Sequence, residues 1–363
     1  MAISKKLFGK ISDGREVYAY TMSSKSGIEV TILDLGGIIQ SIKMPDKNGA
    51  LKDIVCGYDT PEEYMTNDGY HGALIGRYAN RIKDGKFSVN GVEYQTPKNE
   101  KGITSLHGGN IGWNQKTWAV EAGKCASCGA DKLTLTYTSV DGEEGFPGNV
   151  DVTVVYRLDD NGEFTIKYHA VADKDTPIAM TNHAYFNMAG YDTQNVRDQL
   201  MRLGCGKIVA IDEVLIPTGL MDVSGTAFDF RTEKAIGKDI DNNEEQLNMA
   251  SGGYDHSFVV DTDESIVWKH DFVLKFCASL RDTASGRKVT VYTDAPGIQI
   301  YSGNFMDDGK IFKNGVVSKK HGAICLETGF WPDTPNRPEF PSCIFGPGKD
   351  YDSVTVFKFE IEK

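Results

Sequence analysis

Hydrophobic and polar residues alternate with a period of two along much of the chain. In residues 132–137 the apolar side chains fall on one parity and the threonines on the other, and the pattern recurs at Phe164, Ile166 and Tyr168 and again over residues 355–361. Such alternation places one face of a strand on a core and the other face in water. The side chains involved are mostly β-branched or aromatic, which favours strands. The pattern therefore predicts a chain built mainly from β-strands.

Asx-Gly pairs separate many of these alternating runs. Type I′ hairpin turns need positive φ at both central residues, a conformation that Asn, Asp and Gly adopt readily. Examples are Asp13-Gly14, Asn48-Gly49, Asn90-Gly91, Asp141-Gly142, Asn161-Gly162, Asp308-Gly309 and Asn314-Gly315. Turns of this kind join antiparallel strands, so the sequence predicts antiparallel meanders.

Few segments carry helix signals. Thr60, Pro61 and Glu63 supply an N-cap residue, Pro at the first helical position and Glu three residues after the cap, which predicts one or two helical turns. Another short helix is predicted within residues 234–248, although Gly237 and Asn242-Asn243 disfavour it. We find no short repeat and no low-complexity linker. The predicted fold class is all-β, a single large antiparallel domain over residues 1–363 with few short helices.

Charge and composition argue against several classes of protein. The chain has 39 Lys+Arg against 51 Asp+Glu and a formal net charge of −12, which disfavours non-specific binding to nucleic acid or to an anionic membrane. Its apolar stretches, such as residues 152–156, fall far short of the ~18 residues of a membrane helix, and the first residues show no secretory signal. Seven cysteines without such a signal predict reduced thiols. We therefore expect a cytoplasmic protein with no nucleic-acid or membrane partner.

Three segments carry arginine or histidine in settings that suit a polar ligand. Residues 76–82 contain Arg77, Asn80 and Arg81, and an Arg fork presents several fixed donors; a solvated strand face is the alternative interpretation. His107 lies in Leu-His-Gly-Gly-Asn and His183 in Thr-Asn-His-Ala-Tyr-Phe-Asn, where small or amide-bearing neighbours permit close approach of a ligand. Five other histidines lack such surroundings and are expected to be structural or on the surface: His71, His169, His256, His270 and His321.

Two acidic residues are candidates for ligand binding or proton transfer. Asp255, in Gly-Tyr-Asp-His, could bind a ligand hydroxyl, with a plain surface turn as the alternative. Glu327 follows the apolar residues 323–326, a context that can desolvate its carboxylate and raise its pKa, as a general base near neutral pH requires. A strand-end surface glutamate is the other interpretation. Phe330 and Trp331 lie just beyond it and suit either a ring-stacking wall or the core.

Motifs for several common chemistries are missing or incomplete. Cys125 and Cys128 have CxxC spacing, but no second pair follows, so we predict a surface hairpin in preference to a metal or redox site. The sequence contains no Walker-type loop, no Gly-x-Gly-x-x-Gly before a helix and no Gly-x-Ser-x-Gly elbow. We therefore predict neither a metal nor an organic cofactor.

Taken together and in this order, these segments resemble the aldose 1-epimerase (galactose mutarotase) family. The matching segments are residues 76–82, 106–109, 181–187, 253–256, 299–304 and 326–335, and the flanking strands also look like the family. Asn-His-x-Tyr-Phe-Asn combined with Leu-Glu-Thr-Gly-x-x-Pro-Asp is highly specific. Tyr78 departs from the family by standing where a small aliphatic residue is common. The resemblance implies a large, twisted antiparallel β-sandwich of the galactose mutarotase type with an open sugar cleft.

The resemblance also implies an activity and a set of site residues. The family interconverts the α and β anomers of free aldohexoses such as galactose and glucose, without metal or organic cofactor. By correspondence, Glu327 is implied as general base, His183 as general acid and His107 as a second imidazole at the sugar. The remaining substrate-binding residues implied are Asn80, Arg81, Tyr185, Asp255 and Gln299. The expected partner is a small aldose, and the expected assembly is a monomer or homodimer.

Three other functions stay open at this point. A glycoside hydrolase could use Asp255 and Glu327 as its carboxylate pair, ~5–5.5 Å apart if retaining or ~6.5–9.5 Å apart if inverting. A non-catalytic carbohydrate-binding protein could use the same residues, although it needs no apolar-flanked Glu beside two imidazoles. A hexose-6-phosphate 1-epimerase would need clustered cations for the phosphate, beyond Arg77 and Arg81.

Overall fold

Strands predominate in the computed structural model, which describes residues 3–126, 128–268 and 272–362. Within these residues two short α-helices occur, Pro61–Thr66 and Glu245–Met249. The first begins as predicted, because the Glu63 N–H donates to Thr60 Oγ1 at 3.4 Å and the Thr60 N–H donates to Glu63 Oε2 at 2.8 Å. The predicted all-β class with few short helices is confirmed.

The short helix predicted within residues 234–248 is present, but it occupies only the end of that segment. Lys234–Ala235 form a short strand, Ile236–Lys238 a 3₁₀ turn, and the helix begins only at Glu245. A Cβ on Gly237 would lie 2.8 Å from the Arg197 Cβ, so the segment passes too close to its neighbour for a helix with side chains. Ile236 and Leu247 are both buried and anchor an irregular connection to the core.

Three antiparallel sheets form most of the described molecule. A five-stranded N-terminal sheet has the order Ser4–Lys10, Glu16–Ser23, Glu29–Leu33, Ile39–Pro45 and Leu51–Asp53. The six-stranded sheet has the order Tyr185–Phe186, Ile324–Gly329, Gly297–Tyr301, Asp255–Val259, Lys207–Ile211 and Pro217–Asp222.

The third sheet has ten strands and contains all the alternating runs named above. Its order is Ala119–Lys124, Asp131–Ser139, Val150–Leu158, Glu163–Ala172, Tyr351–Ile361, Arg287–Thr293, Phe272–Arg281, Leu200–Leu203 and Lys234–Ala235, with Ser265–Trp268 also paired to Phe272–Arg281. The Cys125/Cys128 pair lies in the turn between its first two strands, as predicted.

The hydrophobic core lies between the sheets. Leu133, Val154 and Phe357 of the ten-stranded sheet belong to the same buried cluster as Ile298 and Leu326 of the six-stranded sheet. Each sheet thus buries one face against the other, which is the arrangement of a β-sandwich. The six-stranded sheet keeps its other face for polar side chains.

Five two-stranded ribbons complete the described structure and carry several loops to that polar face. They pair Leu74–Ile75 with Thr181–Asn182, Arg81–Ile82 with Ser105–Leu106, Lys86–Val89 with Val92–Gln95, Thr176–Pro177 with Ile344–Phe345, and Ile311–Phe312 with Val316–Val317. Asn90 and Gly91 form the tight turn of the third ribbon with φ of 52° and 78°, as the Asx-Gly signal predicts. In the described residues no helix is long and apolar enough to span a membrane.

Candidate active site

One cleft of about 510 Å³ collects every residue that the sequence proposes for the site. The eight residues are Asn80, Arg81, His107, His183, Tyr185, Asp255, Gln299 and Glu327. They come from segments up to 247 positions apart, so only the tertiary fold brings them together.

Strand register supplies the floor of the cleft. On the strand Ile324–Gly329, Leu326 points to the core cluster, whereas Cys325 and Glu327 lie on the opposite face. The neighbouring strand places Gln299 opposite Glu327 and Tyr301 opposite Cys325. Two rows of side chains therefore run across the sheet on the cleft side.

The same register extends to the other proposed residues. Asp255 is paired with Tyr301 on the next strand, and Gln299 Nε2 donates to Asp255 Oδ1 at 2.7 Å. On the other side, Tyr185 is paired with Cys325, and this register continued by two residues puts His183 opposite Glu327. Alternation along four neighbouring strands thus explains why these polar side chains share one face.

His183 and Glu327 contact each other at the floor of the cleft. His183 Nε2 lies 3.6 Å from Glu327 Oε1, and both side chains are buried. Burial raises the pKa of Glu327 well above its usual range, and the nearby Asp255 carboxylate adds to the rise. Burial lowers the pKa of His183 to about 4. The two groups are therefore tuned to hold one proton between them over a wide range of pH.

His107 is held by a reciprocal contact with Asn80. The Asn80 N–H donates to His107 Nδ1 at 3.2 Å, and the His107 N–H donates to the Asn80 carbonyl at 3.1 Å. Both residues have positive φ, 50° for His107 and 65° for Asn80, a strained conformation that concentrates at functional sites. With Nδ1 acting as acceptor, the neutral ring of His107 carries its proton on Nε2.

Three of these residues could be taken for a metal site. One ligand atom from each of His107, His183 and Glu327 lies within 4.8 Å of the others. A metal on His107 Nδ1 would displace the Asn80 N–H, and a metal on Nε2 would move the ring proton to Nδ1, where it would face that N–H. The donor set thus fits proton transfer and hydrogen bonding better than metal coordination.

Arg81 is oriented by Glu100, a residue that sequence reasoning missed. Arg81 Nε and Nη2 donate to the two Glu100 carboxylate oxygens at 2.8 and 2.7 Å, and Thr104 Oγ1 donates to the same carboxylate at 2.6 Å. This bidentate pairing fixes the plane of the guanidinium. The remaining Nη1 is available for a ligand in the cleft.

Tyr185 stacks between two imidazoles. Its ring lies 5.0 Å from His183 at an interplanar angle of 25° and 4.2 Å from His71 at 19°. His71 also lines the cleft, and its Nδ1 contacts Tyr58 Oη at 3.3 Å. His71 was expected to be structural or on the surface, so sequence reasoning missed its place at the cleft. The sequence pointed to this stack only through Tyr185, which lies two residues after His183.

Other residues singled out in the sequence lie outside the cleft. Arg77 is buried, and its guanidinium donates to the Pro147 carbonyl at 2.7 Å and to Ser139 Oγ at 2.7 Å, so it braces backbone. The ring centroids of Trp331 and Phe340 are 4.9 Å apart, so Trp331 packs in the core and does not form a wall on which a sugar ring could stack. Phe330 likewise packs into the core. His270 lies outside the described residues.

The amide beside His183 also serves the backbone. Asn182 Nδ2 donates to the Gly72 carbonyl at 2.8 Å, and Asn182 Oδ1 accepts the Ala184 N–H at 3.1 Å. These bonds hold the loop that presents His183. The amide-bearing residues of this motif were expected to let a ligand approach closely. In the structure the Asn182 side chain instead hydrogen-bonds the backbone and fixes the shape of the loop.

Comparison with known proteins places the chain in one family. The family model described as aldose 1-epimerase matches residues 18–358. Galactose mutarotase from Homo sapiens is 38% identical over 361 residues and covers 99% of both chains. Aldose 1-epimerase from Escherichia coli K12 is 34% identical over 353 residues, covering 96% of this chain and 97% of that one.

Solved structures agree in fold. The aldose epimerase homologue from C. elegans has a TM-score of 0.82 at 27% identity and covers 95% of this chain and 99% of that chain. Galactose 1-epimerase from Lactobacillus acidophilus has a TM-score of 0.83 at 23% identity, with 99% coverage of both chains. The fold and the matched length define a sugar-epimerase type of β-sandwich.

The chain belongs to the aldose 1-epimerase family. It is therefore an enzyme of the isomerase class, and the predicted mutarotase-like sandwich is confirmed.

Proposed function

We propose that the protein interconverts the α and β anomers of free aldohexoses such as galactose and glucose, with Glu327 as general base and His183 as general acid. The observation that carries this proposal is the 3.6 Å contact between His183 Nε2 and Glu327 Oε1 at the floor of the cleft. Anomerisation needs one proton removed from the C1 hydroxyl and one delivered to the ring oxygen, and two adjacent groups of this kind meet both needs.

The reaction is a ring opening followed by a ring closure. Ionised Glu327 takes the proton of the C1 hydroxyl while protonated His183 gives a proton to the ring oxygen, and the C1–ring-oxygen bond breaks to leave an aldehyde. Rotation about C1–C2 exposes the other face of the carbonyl. The C5 hydroxyl then attacks, with His183 taking its proton and Glu327 returning one to the carbonyl oxygen. Atoms and protons balance, and no electron is lost or gained.

One proton on the His183–Glu327 pair suits this exchange of roles. The productive form has ionised Glu327 and protonated His183, which contains the same number of protons as the form with neutral His183 and protonated Glu327. Because the opposed pKa shifts of the two groups favour the one-proton state over a wide pH range, the pair is ready to act in either direction.

The surrounding side chains supply hydroxyl contacts. Arg81 offers its free Nη1, Asp255 is an acceptor held by Gln299, and His107 presents Nε2–H because Asn80 occupies its Nδ1. These groups differ in donor and acceptor character, so they can bind a sugar in one orientation. We propose that they fix the ring so that C1 and the ring oxygen face Glu327 and His183.

Two observations weigh against the alternative activities. A 6-phosphate would need clustered cations, but Lys310 in the cleft pairs with Asp68 and with Asp308 at 2.7 Å, and Arg77 is buried elsewhere, so Lys101 is the lysine left at the cleft among the described residues. The group in contact with Glu327 is an imidazole, whereas a glycoside hydrolase pairs two carboxylates across the bond that it cleaves. A free aldose therefore fits the site best.

Polarimetry tests the proposal directly. Freshly dissolved α-D-glucose and α-D-galactose should reach equilibrium rotation faster with the protein than with buffer, and heat-inactivated protein should match the buffer. A rate equal to the buffer for both sugars would reject the proposed activity. Hydrolysis of aryl glycosides, or faster mutarotation of hexose 6-phosphates alone, would point to the alternatives.

We further propose a cytoplasmic protein acting as a monomer or homodimer without nucleic-acid or membrane partners, and a single domain over residues 1–363. Five buried cysteines among the described residues carry free thiols, which suits a reducing compartment: Cys56, Cys205, Cys277, Cys325 and Cys343. Size-exclusion chromatography with light scattering measures the assembly, and limited proteolysis should nick loops without releasing a stable half.

A further inference from the structure

A cysteine thiol lies directly behind the imidazole of His183. Cys325 Sγ is 3.5 Å from His183 Nδ1, on the side of the ring opposite the 3.6 Å contact of Nε2 with Glu327. Cys325 is fully buried on the cleft face of its strand, two residues before Glu327. One strand therefore contacts both nitrogens of the same imidazole.

The register makes this contact a fixed feature of the sheet. Cys325 is paired with Tyr185 on one side and with Tyr301 on the other, and His183 is two residues from Tyr185. Backbone pairing thus sets the separation of Cys325 and His183. The Tyr185 hydroxyl also hydrogen-bonds the thiol, so the sulfur is held between Tyr185 and His183. Burial raises the pKa of Cys325 well above its usual range, so the thiol keeps its proton.

We propose that Cys325 is a positioning residue, whose thiol contacts His183 Nδ1 and so holds Nε2 directed at Glu327 and at the sugar. This inference rests on the proposed function of His183. When His183 is neutral and Glu327 is ionised, the carboxylate favours the ring proton on Nε2, and the S–H donates to Nδ1. When His183 is protonated, or is neutral beside protonated Glu327 whose O–H faces Nε2, Nδ1–H donates to the sulfur. A thiol can do both, because it is a weak donor and a weak acceptor.

This dual character matches a histidine that must give and take a proton in each turnover. A fixed acceptor such as a carboxylate at Nδ1 would favour the protonated ring throughout. A hydrocarbon would leave Nδ1 only its contact with the His183 backbone. The thiol favours neither protonation state strongly, while it still restrains the ring.

Three replacements of Cys325 separate positioning from packing. Cys325→Ser keeps a donor and acceptor and should retain kcat within about threefold. Cys325→Ala and Cys325→Val lose both functions and should each lower kcat roughly tenfold, with KM little changed because the sugar-binding side chains are untouched. Cys56→Val is the matched control, since Cys56 is a fully buried thiol of the same cluster that contacts Gln194 instead of His183. It should keep wild-type kcat.

Two readouts distinguish ring orientation from simple loss of packing. ¹⁵N spectra of histidine-labelled protein, recorded above the raised pKa of Glu327 where its carboxylate is ionised and with the His183 signal assigned through His183→Asn, should show the Nε2–H tautomer in wild type and in Cys325→Ser but a mixture in Cys325→Val. The pH profile of kcat should also shift in Cys325→Val and keep its wild-type position in Cys56→Val. The titratable groups that face His183 are unchanged in both variants: Glu327, His107, His71, Tyr70 and Tyr185.

The outcomes separate this proposal from the proposed function. Cys325→Val with wild-type kcat and an unchanged His183 tautomer would make Cys325 a space-filling residue and overturn the proposal. Equal losses in Cys325→Val and Cys56→Val would do the same. If wild type fails to accelerate mutarotation, the proposed function fails, yet the tautomer measurement still decides whether the thiol holds the ring.

Discussion

Replacing Glu327 by Gln should remove the proposed base while keeping the shape of its side chain. A positioned base contributes about 10²–10⁴-fold, so kcat should fall by that factor. KM should change less, because Arg81, Asp255 and Gln299 still hold the sugar hydroxyls. Polarimetry on both anomers of glucose, corrected for the spontaneous rate, measures the loss in each direction, and both directions should fall by the same factor because the equilibrium constant is fixed.

The same substitution should stabilise the fold, and the gain should grow with pH. The folded-state pKa of Glu327 is raised by burial, so its contribution is fully present below the unfolded-state pKa and is lost as pH rises through the folded-state pKa. Between the two pKa values the loss is about 1.4 kcal/mol per pH unit. Gln does not titrate. Urea unfolding should therefore show a larger advantage of Glu327→Gln over wild type at pH 8 than at pH 5.

Control variants show whether the loss of kcat comes from Glu327 itself, from disturbance of its strand or from its pairing with His183. Thr328→Val alters the next residue on the core face, where Thr328 Oγ1 contacts Thr355 Oγ1 at 2.5 Å, and should leave kcat near wild type. His183→Asn should match the loss of Glu327→Gln, and the double variant should lose less than the product of the two, because both groups serve one proton exchange. Near-wild-type mutarotation by Glu327→Gln would refute the assignment and make Asp255 the next candidate.

Three further predictions follow from the site. Asp255→Asn should lower kcat/KM by an amount that depends on the aldose, since a charge-assisted hydrogen bond worth roughly 1.5–3 kcal/mol is lost only where the sugar makes it; a small, uniform effect across several aldoses would place Asp255 outside the site. The pH profile of kcat/KM should be a broad bell, with an acidic limb near the His183 value of about 4 and a basic limb above the ordinary carboxyl range; a basic limb that survives in Glu327→Gln would contradict this assignment. Dialysis against EDTA should leave the rate unchanged, because His107 is arranged as a hydrogen-bond donor, and a loss restored by zinc would contradict that reading.

Local patterns in the sequence were sufficient to predict the fold class. Alternation and Asx-Gly turns act through neighbouring residues, and they identified the long strands of the ten-stranded sheet and the hairpin at Asn90-Gly91. Within residues 234–248 the sequence did not locate the start of the short helix, because the first part of that segment is shaped by a distant contact, the close approach of Arg197 to Gly237. Neither residue signals the other in the sequence.

In the site, too, features carried by local sequence were predicted, whereas features set by distant contacts were missed. Residues in distinctive motifs, such as His183 and Glu327, were found by resemblance, and all eight proposed residues line the cleft. Glu100 was missed because the run Lys98-Asn99-Glu100-Lys101 has the composition of a solvated loop, and its role depends on a two-point contact with Arg81 across 19 positions. Sequence spacing reveals no such contact, because the residues around Glu100 do not distinguish a carboxylate that orients Arg81 from one exposed to solvent.

The position of the acid–base pair depends on strand register, which couples the activity to the integrity of the six-stranded sheet. Side chains alternate along a strand, so a slip of one residue in Ile324–Gly329 would turn Glu327 into the apolar core and bring Leu326 to the cleft. That slip would bury a carboxylate among hydrocarbon side chains at a cost of several kcal/mol. The residues that pack the core and the residues that face the sugar alternate on the same strand. Core packing therefore disfavours a one-residue register slip, which would remove Glu327 from the site.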